Sequence, residues 1–168
     1  MPYWQLFYHL VWSTKNREPL LTSEVEPIVY GLIRSKVIGL GGTLFALNGI
    51  EEHIHVVSAI PPAIAVAKFV GQVKGATATR FNKGGFGAVL YWQEEYGAFS
   101  FDGKRLPNFV SYVERQKEHH AQSKTIPVLE RTADGGVRLA RETAPVYEVG
   151  SQAWWDELVA WGGPPGHE

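Results

Sequence analysis

Apolar residues in the first 120 positions recur with two different periods in turn, and that succession restricts the chain to a mixture of strands and helices. Residues 3–13, Tyr-Trp-Gln-Leu-Phe-Tyr-His-Leu-Val-Trp-Ser, are aromatic and branched and contain no Gly or Pro, which predicts a buried first strand. Ser23 and Glu26 have the spacing of a capping box, and Val25, Ile28, Val29, Leu32, Ile33, Val37 and Leu40 then fall on one helical face until Gly41-Gly42. Thr43 to Leu47 reads as a short strand, Asn48-Gly49 as a hairpin turn, and Ile50 to Ile60 as the returning strand, stopped by Pro61-Pro62. From Ala63 to Asn82, apolar residues at 64, 67, 70, 73 and 81 oppose Lys68, Gln72 and Thr79, giving a second amphipathic helix. Val89 to Gln93 and Ala98 to Phe101 read as strand pieces with a break near Glu94-Glu95-Tyr96-Gly97. Asp102 is a cap for a last helix that tolerates Pro107 and buries Leu106, Phe109, Val110 and Val113.

The order β-α-β-β-α-β-α is that of an α+β, ferredoxin-like split βαβ antiparallel sheet with an added C-terminal helix. At 168 residues and 45% hydrophobic content, the chain suits one domain, residues 1–121, and a tail, 122–168. The tail has no clear period except Ser151 to Trp161, where Trp154, Leu158 and Trp161 share one side of a possible short helix. With no cysteine, disulfides, zinc-thiolate sites and thiol nucleophiles are excluded together, so any metal must sit on His, carboxylate or amide ligands. No apolar run approaches the roughly 18 residues that span a bilayer, and no signal peptide is evident, so a soluble cytoplasmic protein away from the membrane is expected.

Nucleic-acid binding usually leaves a basic footprint, and the net charge of -1 opposes it. The charge is unevenly placed, however. Residues 1–120 hold 12 Lys and Arg against 10 Asp and Glu, a balance of +2, whereas 121–168 hold 4 against 7, a balance of -3. A basic groove would therefore be local, around Lys68, Lys74, Arg80 and Lys83.

Glu52-His53-Ile54-His55 carries the strongest local signal, because strand alternation turns His53 and His55 to one face and Ile54 to the other. Two converging imidazoles can hold a divalent ion and leave positions open for a phosphate oxygen, or they can be two half-buried histidines satisfied by hydrogen bonds. On the last helix, Tyr112 and Gln116 are four residues apart and are expected on one face, opposite the Leu106-Phe109-Val110-Val113 stripe. A phenol can attack a phosphodiester when a metal polarises the phosphate, and an amide oxygen can act as a further ligand; the alternative is a surface tyrosine at a helix edge. His119 and His120 are open to three roles: solvated side chains, phosphate contacts or a proton relay.

These residues resemble the HUH single-tyrosine transposases of small bacterial insertion sequences, including the REP-associated tyrosine transposases. The resemblance covers about residues 3–121 and rests on Tyr8-His9-Leu10-Val11-Trp12 with Thr14-Lys15-Asn16-Arg17, on His53-Ile54-His55, on Lys74-Gly75, on Tyr96-Gly97-Ala98-Phe99-Ser100, and on Tyr112-Val113-Glu114-Arg115-Gln116 with His119-His120. It implies Tyr112 as nucleophile, His53, His55 and Gln116 as metal ligands, Mg²⁺ or Mn²⁺ as cofactor, and single-stranded DNA with a hairpin as substrate. It also implies a homodimer with active sites shared between subunits, and a 5′-phosphotyrosine intermediate. The family pattern has Asp before the first histidine, where this chain has Glu52, which is given a supporting role beside His119 and His120. Lys15, Arg17, Lys68, Lys74 and Lys83 are the expected DNA contacts, Lys74 through the salt dependence of binding.

Three other readings compete. A non-catalytic, domesticated single-stranded nucleic-acid-binding module of ferredoxin-like fold would need no metal but leaves His53, His55, Tyr112 and Gln116 unexplained. A phosphodiesterase using metal-bound water would act without a covalent intermediate. An inactive relative would bind only. In the tail, Trp154, Trp155 and Trp161 are expected to dock on protein, since three exposed tryptophans among acidic residues suit neither water nor phosphate.

Overall fold

A computed structural model describes residues 2–132 of the chain. The expected helix at Ser151 to Trp161 and the tryptophan docking lie outside the described residues.

Four strands form one antiparallel sheet: β1 (Phe7–Ser13), β2 (Thr43–Ile50), β3 (His53–Ala59) and β4 (Gly97–Phe101), in the order β2-β3-β1-β4. Helix α1 (Glu26–Gly39) connects β1 to β2, and α2 (Val66–Lys83) connects β3 to β4. Each crossover skips one strand, so the two βαβ units interlock, and the expected α+β split βαβ fold is present. The register sets Val11 opposite His55, Ser13 opposite His53, and His9 between Val57 and Phe99.

Alternation then makes two unlike faces. Leu10, Trp12, Ile54 and Val56 turn to one side, where Val29, Ile33 and Val37 of α1 and Phe69, Val70 and Val73 of α2 cover them. Each such side chain contributes about 1.5–3 kcal/mol on burial, so this layer is the main source of stability. His9, Val11, Ser13, His53, His55 and Val57 turn to the other side. That face is covered by α3 (Leu106–Glu114), α4 (Gln116–Ala121) and the turn Pro127–Glu130.

Several local expectations shift. The capping box does not form: α1 starts at Glu26 after Val25, and the Thr22 hydroxyl, rather than Ser23, accepts a bond from Val25 N–H at 3.4 Å. The hairpin turn is Glu51-Glu52, not Asn48-Gly49, because Ile50 pairs with His53 while Asn48 and Gly49 pair with His55 and Ile54. Asn-Gly fits a tight turn, but here each residue has a strand duty. A Cβ on Gly49 would overlap the carbonyl oxygen of His53, and the Asn48 amide donates to the Glu114 carbonyl at 2.9 Å. Val89 to Gln93 is not a strand and makes one isolated bridge, Thr14 to Trp92. The Asn82 side chain holds both backbone groups of Leu90, at 2.7 and 2.9 Å, in place of ladder bonds. Asp102 caps as expected, its carboxylate accepting from the N–H groups of Lys104 and Arg105 just ahead of α3.

The last helix is two helices, interrupted at Arg115 (φ -98, ψ 17). Asn48 grips the Glu114 carbonyl on one side of the break. On the other, the Lys117 ammonium donates to Asn48 Oδ1 at 2.7 Å, Gly49 O at 3.1 Å and Glu26 at 3.0 Å. The β2–β3 hairpin is thereby tied to the element that carries Tyr112. Among the described residues, no helix is long and apolar enough to cross a membrane.

Candidate active site

His53 and His55 project from the central strand β3 and are buried, as are Tyr112 and Gln116. Tyr112 and Gln116 do share a face of the α3–α4 run, but the expectation that this face lies opposite the apolar stripe is overturned. Phe109, Tyr112, Val113 and Gln116 have the spacing i, i+3, i+4, i+7, so they lie on one side, and that side packs on the sheet. The phenol is thus directed at the histidine face, with the Tyr112 and His55 rings 6.1 Å apart.

All of these groups belong to one chain. Within this single chain the Tyr112 ring and the histidine pair already lie side by side.

Between them stands a residue that sequence reasoning missed. The Glu130 carboxylate places Oε2 at 3.1 Å from Nε2 of both His53 and His55 and at 3.4 Å from Nε2 of His120. Its other oxygen accepts the Tyr112 hydroxyl proton at 2.5 Å. The same hydroxyl accepts from Ile126 N–H at 2.9 Å. Glu130 lies in the segment assigned to the tail, but Leu129 is buried among Ala46, Val57, Tyr112 and Val113, and the compact unit holding the sheet extends beyond α4. Gly97 permits the approach, since a Cβ there would overlap the Arg131 carbonyl. No periodicity marks residues 122–132, so nothing local in the sequence announces Glu130.

His9 is the second residue missed. Its Nε2 lies 2.8 Å from His55 Nδ1. One of these two nitrogens donates and the other accepts, according to the tautomer, and the contact orients the His55 ring from behind. The alternation that revealed His53 and His55 also sets His9 opposite Leu10 and Trp12, but only the pairing of β1 with β3 brings it beside His55.

Electrostatics follow from burial. Burial and the adjacent His55 push the His9 pKa down to about 3, and burial likewise lowers His55, so both are neutral. Burial opposes ionisation of Glu130, but the adjacent His53 and His55 imidazoles and the Tyr112 hydroxyl outweigh it and hold the carboxylate well below its usual range. Burial and the hydrogen bond to Glu130 push the Tyr112 phenol up to about 12.

The donor chemistry fits a divalent cation. His53, His55, His120 and Glu130 each offer a ligand atom, and these atoms lie within 4.8 Å of one another. Gln116 donates weakly to the Tyr112 carbonyl at 3.4 Å, while its Oε1 is buried without a partner, an acceptor available to a cation or a donor.

The remaining expected residues divide. Glu52 and Arg17 form an exposed ion pair at 2.9 Å, and Glu52 stands 3.7 Å from His53 Nδ1, beside the site. His119 stacks on the Tyr112 ring at 4.9 Å. Lys15, Lys68 and Lys83 are exposed. Asn16 and Arg17 adopt left-handed backbone angles, φ 56 and 53, turning this loop sharply toward a groove of about 570 Å³ that Glu130 and Arg131 also line. Lys74 is different from the other lysines. It is buried, and its ammonium donates to the carbonyls of Gln93, Glu94 and Glu95 at 2.6, 2.9 and 3.1 Å. Its three protons are used inside the fold, so it clamps the loop before β4 instead of reaching a surface phosphate.

An antiparallel split βαβ sheet that sets a His-x-His strand beneath a tyrosine-bearing helix has the architecture of single-tyrosine transposases. The sequence profile of the family described as IS200-like transposases matches residues 2–116, and the chain belongs to that family. ISDra2 transposase TnpA of Deinococcus radiodurans is 31% identical over 77 residues, 46% of this chain and 55% of that protein, so the match spans little more than half of that relative. The transposase of insertion sequence IS200 from Salmonella typhimurium is 22% identical over 130 residues, 74% of this chain and 86% of that protein. Among solved structures, a candidate transposase from Deinococcus radiodurans superposes with a TM-score of 0.55 at 25% identity, covering 69% of this chain and 95% of that one. A REP-associated tyrosine transposase bound to a REP hairpin superposes with a TM-score of 0.54 at 14% identity, covering 90% and 93%, a likeness of fold.

Proposed function

We propose that this transposase cuts and rejoins single-stranded DNA at hairpin-bearing ends, with Tyr112 as the nucleophile. The observation that carries the reading is the meeting of the Tyr112 hydroxyl and the His53–His55 pair, within one chain, at a single carboxylate. The phenol oxygen would form a bond to phosphorus while the bond to the 3′ oxygen breaks. That oxygen leaves as a 3′-OH after taking a proton, and the phosphoryl group stays on Tyr112 as a 5′-phosphotyrosine. Attack by a 3′-OH reverses the step, and the retained phosphoester energy makes ATP unnecessary.

The resemblance assigns a Mg²⁺ or Mn²⁺ ion to His53, His55 and Gln116, and the buried, unpartnered Gln116 Oε1 supports that assignment. Such an ion, when bound, would withdraw charge from the scissile phosphate and favour the ionised phenol. His9 would hold the His55 ring in place, and the sheet and α3 would exclude water from the phenol.

Lys15, Arg17, Lys68 and Lys83 are the surface cations proposed to meet the DNA backbone, with Arg17 and Arg131 nearest the groove beside Glu130. Hairpin recognition is proposed from the REP hairpin in the structural neighbour. In a homodimer of this chain, each copy would carry its own complete site.

The test uses end-labelled single-stranded hairpin oligonucleotides from the DNA flanking the gene, with Mn²⁺, resolved on a denaturing gel. A protein-linked 5′ label on the downstream fragment, absent with Tyr112→Phe, is expected. Cleavage without a protein adduct would refute the tyrosine chemistry and leave hydrolysis by water.

A further inference from the structure

The same cluster contains more ligand-type atoms than the resemblance accounts for. His53, His55 and His120 present Nε2 atoms from two elements, β3 and α4, and Glu130 presents Oε2 from the turn that follows. The oxygen stands 3.1, 3.1 and 3.4 Å from the three nitrogens. Donors bound to one tetrahedral ion at about 2.0–2.2 Å are separated by roughly 3.3–3.6 Å, so the carboxylate oxygen already stands near coordination spacing from each nitrogen, and all four ligand atoms lie within 4.8 Å of one another.

Direction strengthens the case. A histidine at 3.1 Å from a carboxylate would normally point its N–H at the oxygen. Nε2 of His53 and Nε2 of His120 do not: both are buried with no hydrogen-bond partner despite their short distances to Glu130. Two buried nitrogens that approach an oxygen without aiming at it are costly unless something else takes their lone pairs. A cation between them would.

The segment that brings Glu130 is anchored for the purpose. Leu129 is buried in the cluster beneath α3, Ile126 N–H binds the Tyr112 hydroxyl, and Gly97 lets the 131 backbone lie against the start of β4.

Resting on the metal-dependent reading above, we propose that His120 and Glu130 join His53 and His55 as metal ligands in the DNA-free site, where the carboxylate holds the position that DNA would take over to bring in its scissile phosphate and Gln116. Three imidazoles and one carboxylate select a nitrogen-accepting transition ion such as Mn²⁺ or Zn²⁺ over Mg²⁺, which demands near-octahedral oxygen coordination. Residues 122–130 are then a working part of the site, and the Tyr112 hydroxyl is tied to the centre through the second oxygen of a ligand.

The test is calorimetric titration of the full chain, freed of metal by chelation, with Mn²⁺ and Mg²⁺, together with the visible spectrum of the Co²⁺ form. Wild type should bind Mn²⁺ much more tightly than Mg²⁺ and give the intense Co²⁺ absorption of a four-coordinate site. E130A, E130Q and H120A should each lose tenfold or more in Mn²⁺ affinity, and the first two should lose Co²⁺ intensity. Wild-type affinity and spectrum in E130A and H120A, with binding abolished in H53A, would overturn the proposal and leave the metal-dependent reading intact. Unchanged affinity with faster DNA cleavage in E130A would overturn it in favour of Glu130 as a cover over the nucleophile. Absence of Mn²⁺ and Co²⁺ binding in wild type would sink both readings together.

Discussion

Replacing Lys74 with methionine separates a structural lysine from a phosphate-binding one. The ammonium makes three bonds, to the carbonyls of Gln93, Glu94 and Glu95. Bonds from a charged donor contribute about 1.5–3 kcal/mol each when nothing replaces them. Two reductions apply. Glu94 and Glu95 are exposed, so their carbonyls regain water, and burial lowers the Lys74 pKa, which shows that housing the charge has a cost that methionine removes. The net expectation is a loss of about 2 kcal/mol, or a drop in Tm of roughly 4–8 °C. Urea denaturation with matched m-values measures the first, and hydrogen exchange at residues 95–100 should rise, because the clamped loop delivers β4 to β1. The salt slope of DNA binding should stay unchanged. A variant within about 0.5 kcal/mol of wild type whose slope falls by about 1 would refute the reasoning and return Lys74 to the backbone contacts.

Two further predictions concern the histidine face. His9 is held neutral with a pKa near 3, while in the unfolded chain it titrates near 6.5. Its contribution is therefore complete above pH 6.5 and is lost as the pH falls from there toward 3. Between pH 7.5 and 5, denaturation should show a loss of about 2 kcal/mol from His9, removed in His9→Gln; stability that is flat or rises on acidification would contradict the assignment. Gly49→Ala puts a Cβ into the His53 carbonyl, where only backbone could give way, and should cost about 3 kcal/mol or more in denaturant titrations and loosen the hairpin that carries His53; wild-type stability would refute that packing.

What was legible in the sequence was whatever follows a period. Alternation in Glu52-His53-Ile54-His55 correctly turned two imidazoles to one face, and the apolar spacing of residues 64–81 located α2. Helical spacing paired Tyr112 with Gln116, but choosing which side faces the sheet required knowing that the sheet has a second, histidine-bearing face needing cover. Asn48-Gly49 misled because turn chemistry and close strand approach call for the same residues. Lys74 misled because a cation on an amphipathic helix looks alike whether it meets water or three carbonyls. His9 and Glu130 became members of the site only through contacts across 46 and 75 positions, to His55 in both cases, which no local pattern encodes.

The proposed site sets a nucleophile and a histidine pair within one chain. Its most direct test is to co-express Tyr112→Phe and His55→Ala chains with different affinity tags, purify the mixed species through both tags or mix the chains if they do not associate, and look for the DNA adduct beside wild type. In cis, each variant chain lacks one half of its own site, so no adduct is predicted. Recovery of the adduct in the mixture, with label on the His55→Ala chain, would show the tyrosine of one copy serving the histidines of another and would contradict the account.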